Sequence, residues 1–397
     1  MSDFNLQVAD RICRLPPYLF GQLNQMKYEK RTAGIDIIDL GMGNPSDPSP
    51  DFVVDKLCES VKDVRNQRYS ASKGLFNLRR EVTRLYQRQW NVELDPEQEV
   101  IACIGSKEGF SHMCLALLGP GDTAVVPNPS FPIHNYSVVL AGGNCISIPL
   151  STDQAFIDRL RDVVENLYPK PKLLILNFPH NPTGAVVELD FFQEIVAYAH
   201  SKNLMIIQDL AYGYTTFDGY RAPSILQVDG AKDLAVEFTT MSKPYNMAGW
   251  RIGYCAGNAV MLDALAKIKG YYDYGIFQAV QIASIVALRH GDDFVREQSA
   301  VYQQRRDVLC DALGRVGWMV EKPKAGMFVW AAIPEEFAGM GSMDFCLKLM
   351  EDAEVAVAPG KGFGDLGEGY VRFAIVENEQ RLKQAARQIG RSFRKWR

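Results

Sequence analysis

Short apolar runs alternate with longer amphipathic stretches through the middle of the chain. The runs lie at 100–104, 123–126, 145–148, 173–176, 204–207 and 235–239. Their apolar residues are consecutive rather than alternate, which is the pattern of strands buried on both faces of a parallel sheet. Because helical stretches separate the runs, we predict an α/β fold in which helices cover both faces of a mostly parallel sheet.

The pattern changes in the last quarter of the chain. Helices are predicted at 278–290, 293–316, 343–351 and 379–395, and strands at 318–320, 328–332, 355–357 and 370–373. This mixture indicates a smaller α+β lobe. At the other end, prolines at 16 and 17 delay a helix to about Tyr18, and a short strand follows at 35–40. We predict an N-terminal arm with part of the small domain at 1–46, a large domain at 47–288 and a small C-terminal domain at 289–397.

Composition and charge exclude several classes of function. The 397 residues carry a formal net charge of −4, which gives no electrostatic reason to expect nucleic acid or an anionic membrane as partner. No window approaches the ~18 apolar residues of a membrane span, and the start lacks a leader pattern, so a cytoplasmic protein is expected. The eight cysteines and five histidines are scattered, which predicts free thiols and no metal site.

The stretch 240–251 contains the strongest candidate for chemistry. Lys243 follows Ser242 at the end of a predicted strand, and Arg251 lies eight residues further on. Burial and cationic neighbours make such an amine a usable nucleophile toward an aldehyde. The hydroxyls of Thr240 and Ser242 and the guanidinium of Arg251 could hold a phosphate beside it. An aldehyde carried on a phosphate is pyridoxal phosphate. The alternative is a surface lysine with Arg251 in an ordinary ion pair.

Other polar and aromatic residues follow the ends of the predicted strands. Ligands bind beyond the carboxyl ends of such strands, so these residues should converge on one cleft. A helix is predicted at 110–118, and in the turn before it Ser106 and Lys107 suit either a phosphate cradle or an ordinary helix cap. The other residues at strand ends are Phe131, Asn181, Asp209 and Tyr212.

Arg372 lies inside a predicted strand with apolar neighbours. An unpaired buried arginine is costly, so it should meet an anion, which could be a structural carboxylate or the carboxylate of a substrate. The turn 41–45 follows the short strand at 35–40, and its glycines allow a ligand to approach the backbone closely. A simple exit from the strand would use the same residues.

Together these motifs resemble the class I/II aminotransferases, the fold-type-I enzymes that use pyridoxal 5′-phosphate, over essentially the whole chain. The resemblance implies catalytic roles for Lys243, as the lysine that anchors the cofactor, for Asp209, as the partner of the pyridine nitrogen, and for Tyr212. It implies that the phosphate is bound by Ser106, Lys107, Thr240, Ser242 and Arg251, the ring by Phe131, and the phenolic oxygen by Asn181 and Tyr212. Gly43, Asn181 and Arg372 would bind the substrate.

The resemblance also implies a homodimer, because Tyr69 is similar to the tyrosine that reaches the phosphate of the neighbouring subunit. Two positions depart from the family pattern. Phe131 stands where close relatives usually have tyrosine, so the hydrogen bond of that hydroxyl is absent. Tyr274 stands where many relatives have asparagine or serine near the partner's phosphate.

Within the family, the stretches 14–18, 273–275 and 326–330 look most like bacterial alanine aminotransferases, which convert glutamate and pyruvate to 2-oxoglutarate and alanine. The alternatives are an LL-diaminopimelate or aspartate aminotransferase, a β-lyase on the same fold, and a cofactor-binding regulator. No arginine occurs from Ile252 to Leu288, which argues against aspartate specificity, and a regulator would need a DNA-binding module. Candidates to hold the distal carboxylate of glutamate are Arg14, Arg68 and Lys73.

Overall fold

The computed structural model describes residues 7–17 and 20–397, and its strands form three sheets. In chain order the strands are β1 (Ile38–Asp39), β2 (Val100–Cys103), β3 (Thr123–Asn128), β4 (Asn144–Pro149), β5 (Leu173–Asn177), β6 (Met205–Asp209), β7 (Ala235–Thr240), β8 (Gly253–Gly257), β9 (Phe328–Ala332), β10 (Val355–Ala356), β11 (Ala358–Pro359) and β12 (Tyr370–Ala374). The main sheet has the order β2-β8-β7-β6-β5-β3-β4. Strands β3 to β7 are parallel in it, and β8 is antiparallel to β7 and β2.

Helices cover both faces of the main sheet, as predicted. In chain order they are α1 (Asp10–Cys13), α2 (Phe20–Thr32), α3 (Asp51–Val61), α4 (Phe76–Trp90), α5 (Ser106–Leu117), α6 (Pro132–Leu140), α7 (Gln154–Asn166), α8 (Leu189–Lys202), α9 (Ala259–Tyr272), α10 (Gln278–His290), α11 (Asp292–Arg315), α12 (Ser342–Asp352) and α13 (Glu379–Trp396). Along β5, Leu173 and Ile175 pack with residues of α5 and α9, whereas Leu174 and Leu176 pack with residues of α4, α7 and α8. This alternation is the two-residue period of a strand buried on both sides.

The smaller lobe is α+β, as predicted. Strands β11, β12 and β9 form an antiparallel sheet, and β1 pairs in parallel with β10. Residues of α11, α12 and α13 share an apolar core with these strands. The N-terminal segment therefore contributes a strand to the C-terminal lobe. The predicted helix start at Tyr18 lies outside the described residues, and the domain boundaries at 46 and 288 stay predictions.

Two predicted elements differ in the structure, and one strand was not predicted. Residues 318–320 do not form a strand, because the Trp318 ring packs into the core of the small lobe and its Nε1 donates to the carbonyl of Ala332 at 2.8 Å. Strand β8 was not predicted, since its residues are mostly small and include glycine at both ends. Helix α5 begins at Ser106 rather than Phe110, because Gly105 adopts a positive φ of 75° at the N-cap.

Two general expectations concern membrane spans and the cysteines. Among the described residues, no helix combines the length and the apolar character needed to cross a membrane. All eight cysteines are free thiols.

Strand β7 contains a buried carboxylate in a run that the sequence suggested was apolar. Glu237 lies on the face of the sheet opposite to Val236 and Phe238, and it is fully shielded from solvent. Its carboxylate accepts hydrogen bonds from Tyr86 and Ser224, both at 2.8 Å, and from the backbone N–H of Ile225. Burial nevertheless raises the pKa of Glu237 from 4.5 to about 7.

The raised pKa of Glu237 predicts how stability depends on pH. The folded protein binds a proton that the unfolded chain has already lost, so the free energy of unfolding should fall as pH rises from 4.5 to about 7. The loss should be roughly 3 kcal/mol, because one pKa unit corresponds to about 1.4 kcal/mol. The Glu237→Gln variant should lack this loss. Urea unfolding of both proteins at several pH values measures it, and a difference between them that does not vary with pH would contradict the prediction.

Candidate active site

A cavity of about 760 Å³ lies at the carboxyl ends of β3, β5, β6 and β7, and residues of the small lobe also line it. Every predicted site residue except Tyr69 contributes to its wall: Gly43, Ser106, Lys107, Phe131, Asn181, Asp209, Tyr212, Thr240, Ser242, Lys243, Arg251 and Arg372. The structure therefore brings together residues that are up to about 330 positions apart in the sequence.

Lys243 presents its amine inside this cavity, in the turn that follows β7. Its Nζ donates a hydrogen bond to the carbonyl oxygen of Gly43 at 2.6 Å. Burial lowers the pKa of Lys243 from 10.5 to about 8, and the positive charges of Arg372 and Arg251 lower it further. More of this amine is therefore neutral, and thus nucleophilic, near neutral pH than of an ordinary exposed lysine.

Hydrogen-bond donors gather at the start of α5. The Arg251 guanidinium lies so close to Gly105 that a side chain at that position would overlap it. Gly105, not Ser106, is the N-cap, and the Ser106 hydroxyl has no hydrogen bond among the described residues. Unpaired backbone N–H groups at a helix start, a hydroxyl and a guanidinium suit a phosphate group.

Thr240 and Ser242 line the same wall, but only the Ser242 hydroxyl is free to donate to a bound anion. The Thr240 hydroxyl donates to Ser242 Oγ at 2.9 Å and also accepts from the Ser242 backbone N–H at 3.1 Å. Because Ser242 accepts this bond, its own hydroxyl proton remains available for an anion. Thr240 thus orients Ser242.

The carboxylate of Asp209 is fixed at the end of β6. Its Oδ2 is hydrogen-bonded to Nε2 of His134 at 3.0 Å, and its Oδ1 accepts from the backbone N–H of Ala211 at 3.1 Å. Sequence reasoning missed His134, although it stands in the first turn of a helix that begins with Pro132, just beyond the carboxyl end of β3. The buried His134 ring and the backbone of Ala211 each bind one oxygen, and together they keep the Asp209 carboxylate in one orientation.

Arg372, on β12, belongs to the small lobe. Its guanidinium donates to Asn181 Oδ1 at 2.8 Å and to the carbonyl of Gly41 at 2.9 Å. Its guanidinium carbon also lies over two rings, 4.0 Å from the centroid of Phe328 and 4.5 Å from that of Phe363. These contacts hold a planar, charged group against the cavity, which is the arrangement that bidentate binding of a carboxylate requires.

Three further predicted residues complete the wall. The Phe131 ring has the ammonium of Lys107 5.8 Å from its centroid. The Tyr212 ring packs edge-on against Phe328, and burial raises the pKa of its phenol well above the usual value. Tyr212 therefore stays protonated and can donate a hydrogen bond into the cavity.

Asn177 is a second residue that sequence reasoning missed. It ends β5, its side-chain amide donates to the carbonyl of Asp209 at 2.8 Å, and its Oδ1 accepts from the backbone N–H of Asn181 at 2.9 Å. It thus connects the ends of β5 and β6 to the loop that contains Asn181.

Tyr69 lies outside the cavity of its own chain. Its side chain is 85% exposed, and its ring contacts that of Tyr274 at a centroid distance of 5.0 Å. None of the candidates for a distal carboxylate lines the cavity either, and Arg14 donates to the carbonyl of Gly143.

The family profile described as aminotransferase class I and II matches residues 35–389. The chain belongs to this family. Its members move an amino group between an amino acid and a 2-oxo acid, which agrees with an amine, a fixed carboxylate and two anion-binding regions in one cavity.

Known members of the family align with nearly the whole chain. It is 50% identical to the glutamate–pyruvate aminotransferase AlaC of Escherichia coli over 384 residues, which are 97% of this chain and 93% of that one. It is 44% identical to the LL-diaminopimelate aminotransferase of Moorella thermoacetica, over 97% and 98% of the two chains. The substrate-bound structure of BacF from Bacillus subtilis superposes with a TM-score of 0.90 at 30% identity, covering 98% of each chain.

The lowered pKa of Lys243 predicts how its reactivity depends on pH. Cyanate reacts with neutral amines, so in the cofactor-free protein it should carbamylate Lys243 with a midpoint near pH 8, whereas ordinary exposed lysines titrate at about 10.4. The variant Arg372→Met should move the midpoint upward, because it removes a neighbouring positive charge. Mass spectrometry of the peptides measures both rates, and a Lys243 profile like that of exposed lysines would contradict the prediction.

Proposed function

We propose that the protein uses pyridoxal 5′-phosphate to transfer an amino group from an L-amino acid to a 2-oxo acid, and that glutamate and pyruvate are its main pair of substrates. The observation that carries this proposal is the convergence of Lys243, Asp209 and the donors beside Gly105 in one cavity. The substrate pair is supported by the 50% identity to the Escherichia coli enzyme named for glutamate and pyruvate.

The residues of the cavity fit the cofactor. Gly105 leaves room beside Arg251 that a Cβ would fill, and Ser106 and Ser242 keep protons available for phosphate oxygens. Phe131 offers a flat face to the ring, Asp209 a carboxylate to the pyridine nitrogen, and Asn181 and Tyr212 hydrogen bonds to the phenolic oxygen. When bound, the cofactor supplies an aldehyde that receives the amino group and a ring that accepts electrons from the substrate Cα.

Lys243 anchors the cofactor and then moves the proton. When its amine is free, Lys243 Nζ would accept the proton from the substrate Cα and could give it up again on the cofactor side. The lowered pKa of Lys243 favours the neutral form that accepts this proton. Asp209, oriented by His134, would keep the pyridine nitrogen protonated.

Arg372 and the backbone at Gly43 receive the α-carboxylate of the substrate. The Phe328 ring lies directly beneath Gly43, where a Cβ would come within 2.5 Å of it, so only glycine leaves this approach open. The α-carboxylate at Arg372 and the phosphate at Arg251 thus occupy two separate anion sites. These are the two arginines whose charges lower the pKa of Lys243.

A second candidate is an LL-diaminopimelate aminotransferase, favoured by the 44% identity to the Moorella thermoacetica enzyme. A panel of amino donors assayed with pyruvate and 2-oxoglutarate separates the two candidates. The same panel identifies an aspartate-specific enzyme by its preferred donor. It also identifies a β-lyase, because a β-lyase would release ammonia instead of transferring the amino group.

The α-carboxylate is common to all donors, and this predicts the effect of changing Arg372. The variant Arg372→Lys keeps the charge but loses the planar fork, so KM should rise about 10- to 100-fold for every donor while the absorbance of the bound cofactor persists. Arg381→Lys is the matched control, because Arg381, on α13, pairs with Asp36 away from the cavity. A rise in KM confined to one donor would contradict the assignment.

We also propose a cytoplasmic homodimer with shared active sites, built from the domains 1–46, 47–288 and 289–397. The exposed pair of Tyr69 and Tyr274 supports the dimer, because large aromatic rings that stay accessible in one chain are typical of contact surfaces. In the dimer, Tyr69 would donate to the phosphate held by the other subunit.

Mixed dimers test this sharing. One subunit carries Lys243→Ala and the other Tyr69→Phe. If Tyr69 serves the other subunit, the site with an intact Lys243 also receives an intact Tyr69, so half of the sites should bind the cofactor with normal affinity and be active. If Tyr69 serves its own subunit, no site is intact. Dimers of each single variant are the controls, and activity no higher than theirs would overturn the shared site.

A further inference from the structure

The end of β3 contacts the small lobe through one loop. Residues 360–367, here called the 360–367 loop, connect β11 to β12. The backbone N–H of Ser130 donates to the carbonyl of Phe363 at 2.7 Å. Next to it, the backbone N–H of Leu366 donates to Asn128 Oδ1 at 3.3 Å. Two hydrogen bonds therefore join the main sheet to this loop.

The Asn128 side chain also packs on the loop backbone. It lies against Gly364, whose φ of 122° is in the region that side chains rarely adopt, and any Cβ there would overlap Asn128 Oδ1. At the base of the loop, the backbones of Gly360 and Gly367 are so close that neither position has room for a side chain. The loop is thus a closed unit, and Asn128 is in contact with its tip.

The 360–367 loop presents Phe363 to the active site. The guanidinium carbon of Arg372 lies over the Phe363 ring, 4.5 Å from its centroid, and over the Phe328 ring, 4.0 Å from its centroid. Trp330 packs edge-on against Phe363 at 5.9 Å. A shift of the loop would therefore move the ring that fixes the orientation of Arg372.

On the sheet side, the same segment continues directly into the cofactor region. Asn128 ends β3, and Phe131 follows three residues later as the N-cap of α6. The contact between Asn128 and the loop thus connects the segment of Phe131, whose ring would face the cofactor, with Phe363, whose ring packs on Arg372.

We propose that Asn128 is a positioning residue for the substrate carboxylate: its contacts with Gly364 and Leu366 hold the 360–367 loop so that Phe363 orients Arg372. This rests on the proposed function, in which Arg372 binds the α-carboxylate. Asn128 acts through Phe363 and does not touch the substrate, and it is not among the residues that line the cavity.

The experiment is a double-mutant cycle on the holoenzyme with Asn128→Ala, Phe363→Leu and both together. Each variant is assayed for KM and kcat with glutamate, for the dissociation constant of the cofactor, and by calorimetry for binding of 2-oxoglutarate to the pyridoxal form. The matched control is Asn144→Ala, because Asn144 is exposed at the opposite end of the neighbouring strand β4 and makes no side-chain hydrogen bond in the described part of the chain.

Asn128→Ala should raise KM and weaken 2-oxoglutarate binding about fivefold, the effect of one lost hydrogen bond, with little change in kcat or cofactor affinity. The double variant should be no worse than Phe363→Leu alone, because both changes act on one ring. Additive effects, an unchanged KM, or an equal loss of cofactor affinity would overturn the proposal. A wild-type enzyme that transfers no amino group would instead refute the proposed function, and 2-oxoglutarate binding would still test Asn128.

Discussion

Crowding of positive charge at the carboxyl end of the main sheet is the constraint around which the site is arranged. Lys243, Arg251 and Arg372 line one partly buried cavity, and burial and the two guanidinium groups lower the pKa of the amine. Like charges in a medium of low dielectric constant repel strongly, so this arrangement favours the neutral lysine and favours anions beside each arginine. A phosphate and a carboxylate at the two arginines would relieve the repulsion among these charges.

The scaffold explains how the three cations are kept in place. Each belongs to a different part of the chain: Lys243 to the turn after β7, Arg251 to the segment just before β8 and Arg372 to β12 of the small lobe. Each cation donates a hydrogen bond to a backbone carbonyl: Lys243 to that of Gly43, Arg251 to that of Ala248 and Arg372 to that of Gly41. Carbonyl dipoles hold a cation in position but, unlike carboxylates, add no full negative charge that would raise the pKa of Lys243 again.

Most of the fold could be predicted because its strands are short, apolar and separated by helices. The carboxyl ends of parallel strands lie at the same edge of a sheet, so Lys243, Asp209 and Asn181 could be placed together without any knowledge of distances. His134 and Asn177 were missed because their roles depend on neighbours from other strands, and a lone histidine or asparagine has no periodic signal. Trp318 was assigned to a strand because an apolar run of that length suits either a strand or a core-filling segment. The strand containing Glu237 was predicted, but the buried carboxylate was overlooked, because a single polar residue does not interrupt an otherwise apolar pattern.

The two anion-binding regions differ in how they are built, and this bears on how the enzyme treats different substrates. Within one chain, the region at Gly105 is formed by the start of α5 and by the segments after β7 and before β8, so it needs no residue of the small lobe. The region at Arg372 combines groups from both lobes, because Asn181 belongs to the main sheet and Phe328 to the small lobe. Its geometry therefore depends on how the lobes meet. Since every donor has the same α-carboxylate, contacts between the lobes set the affinity for amino acids in general, and discrimination among them must come from residues that face the side chain.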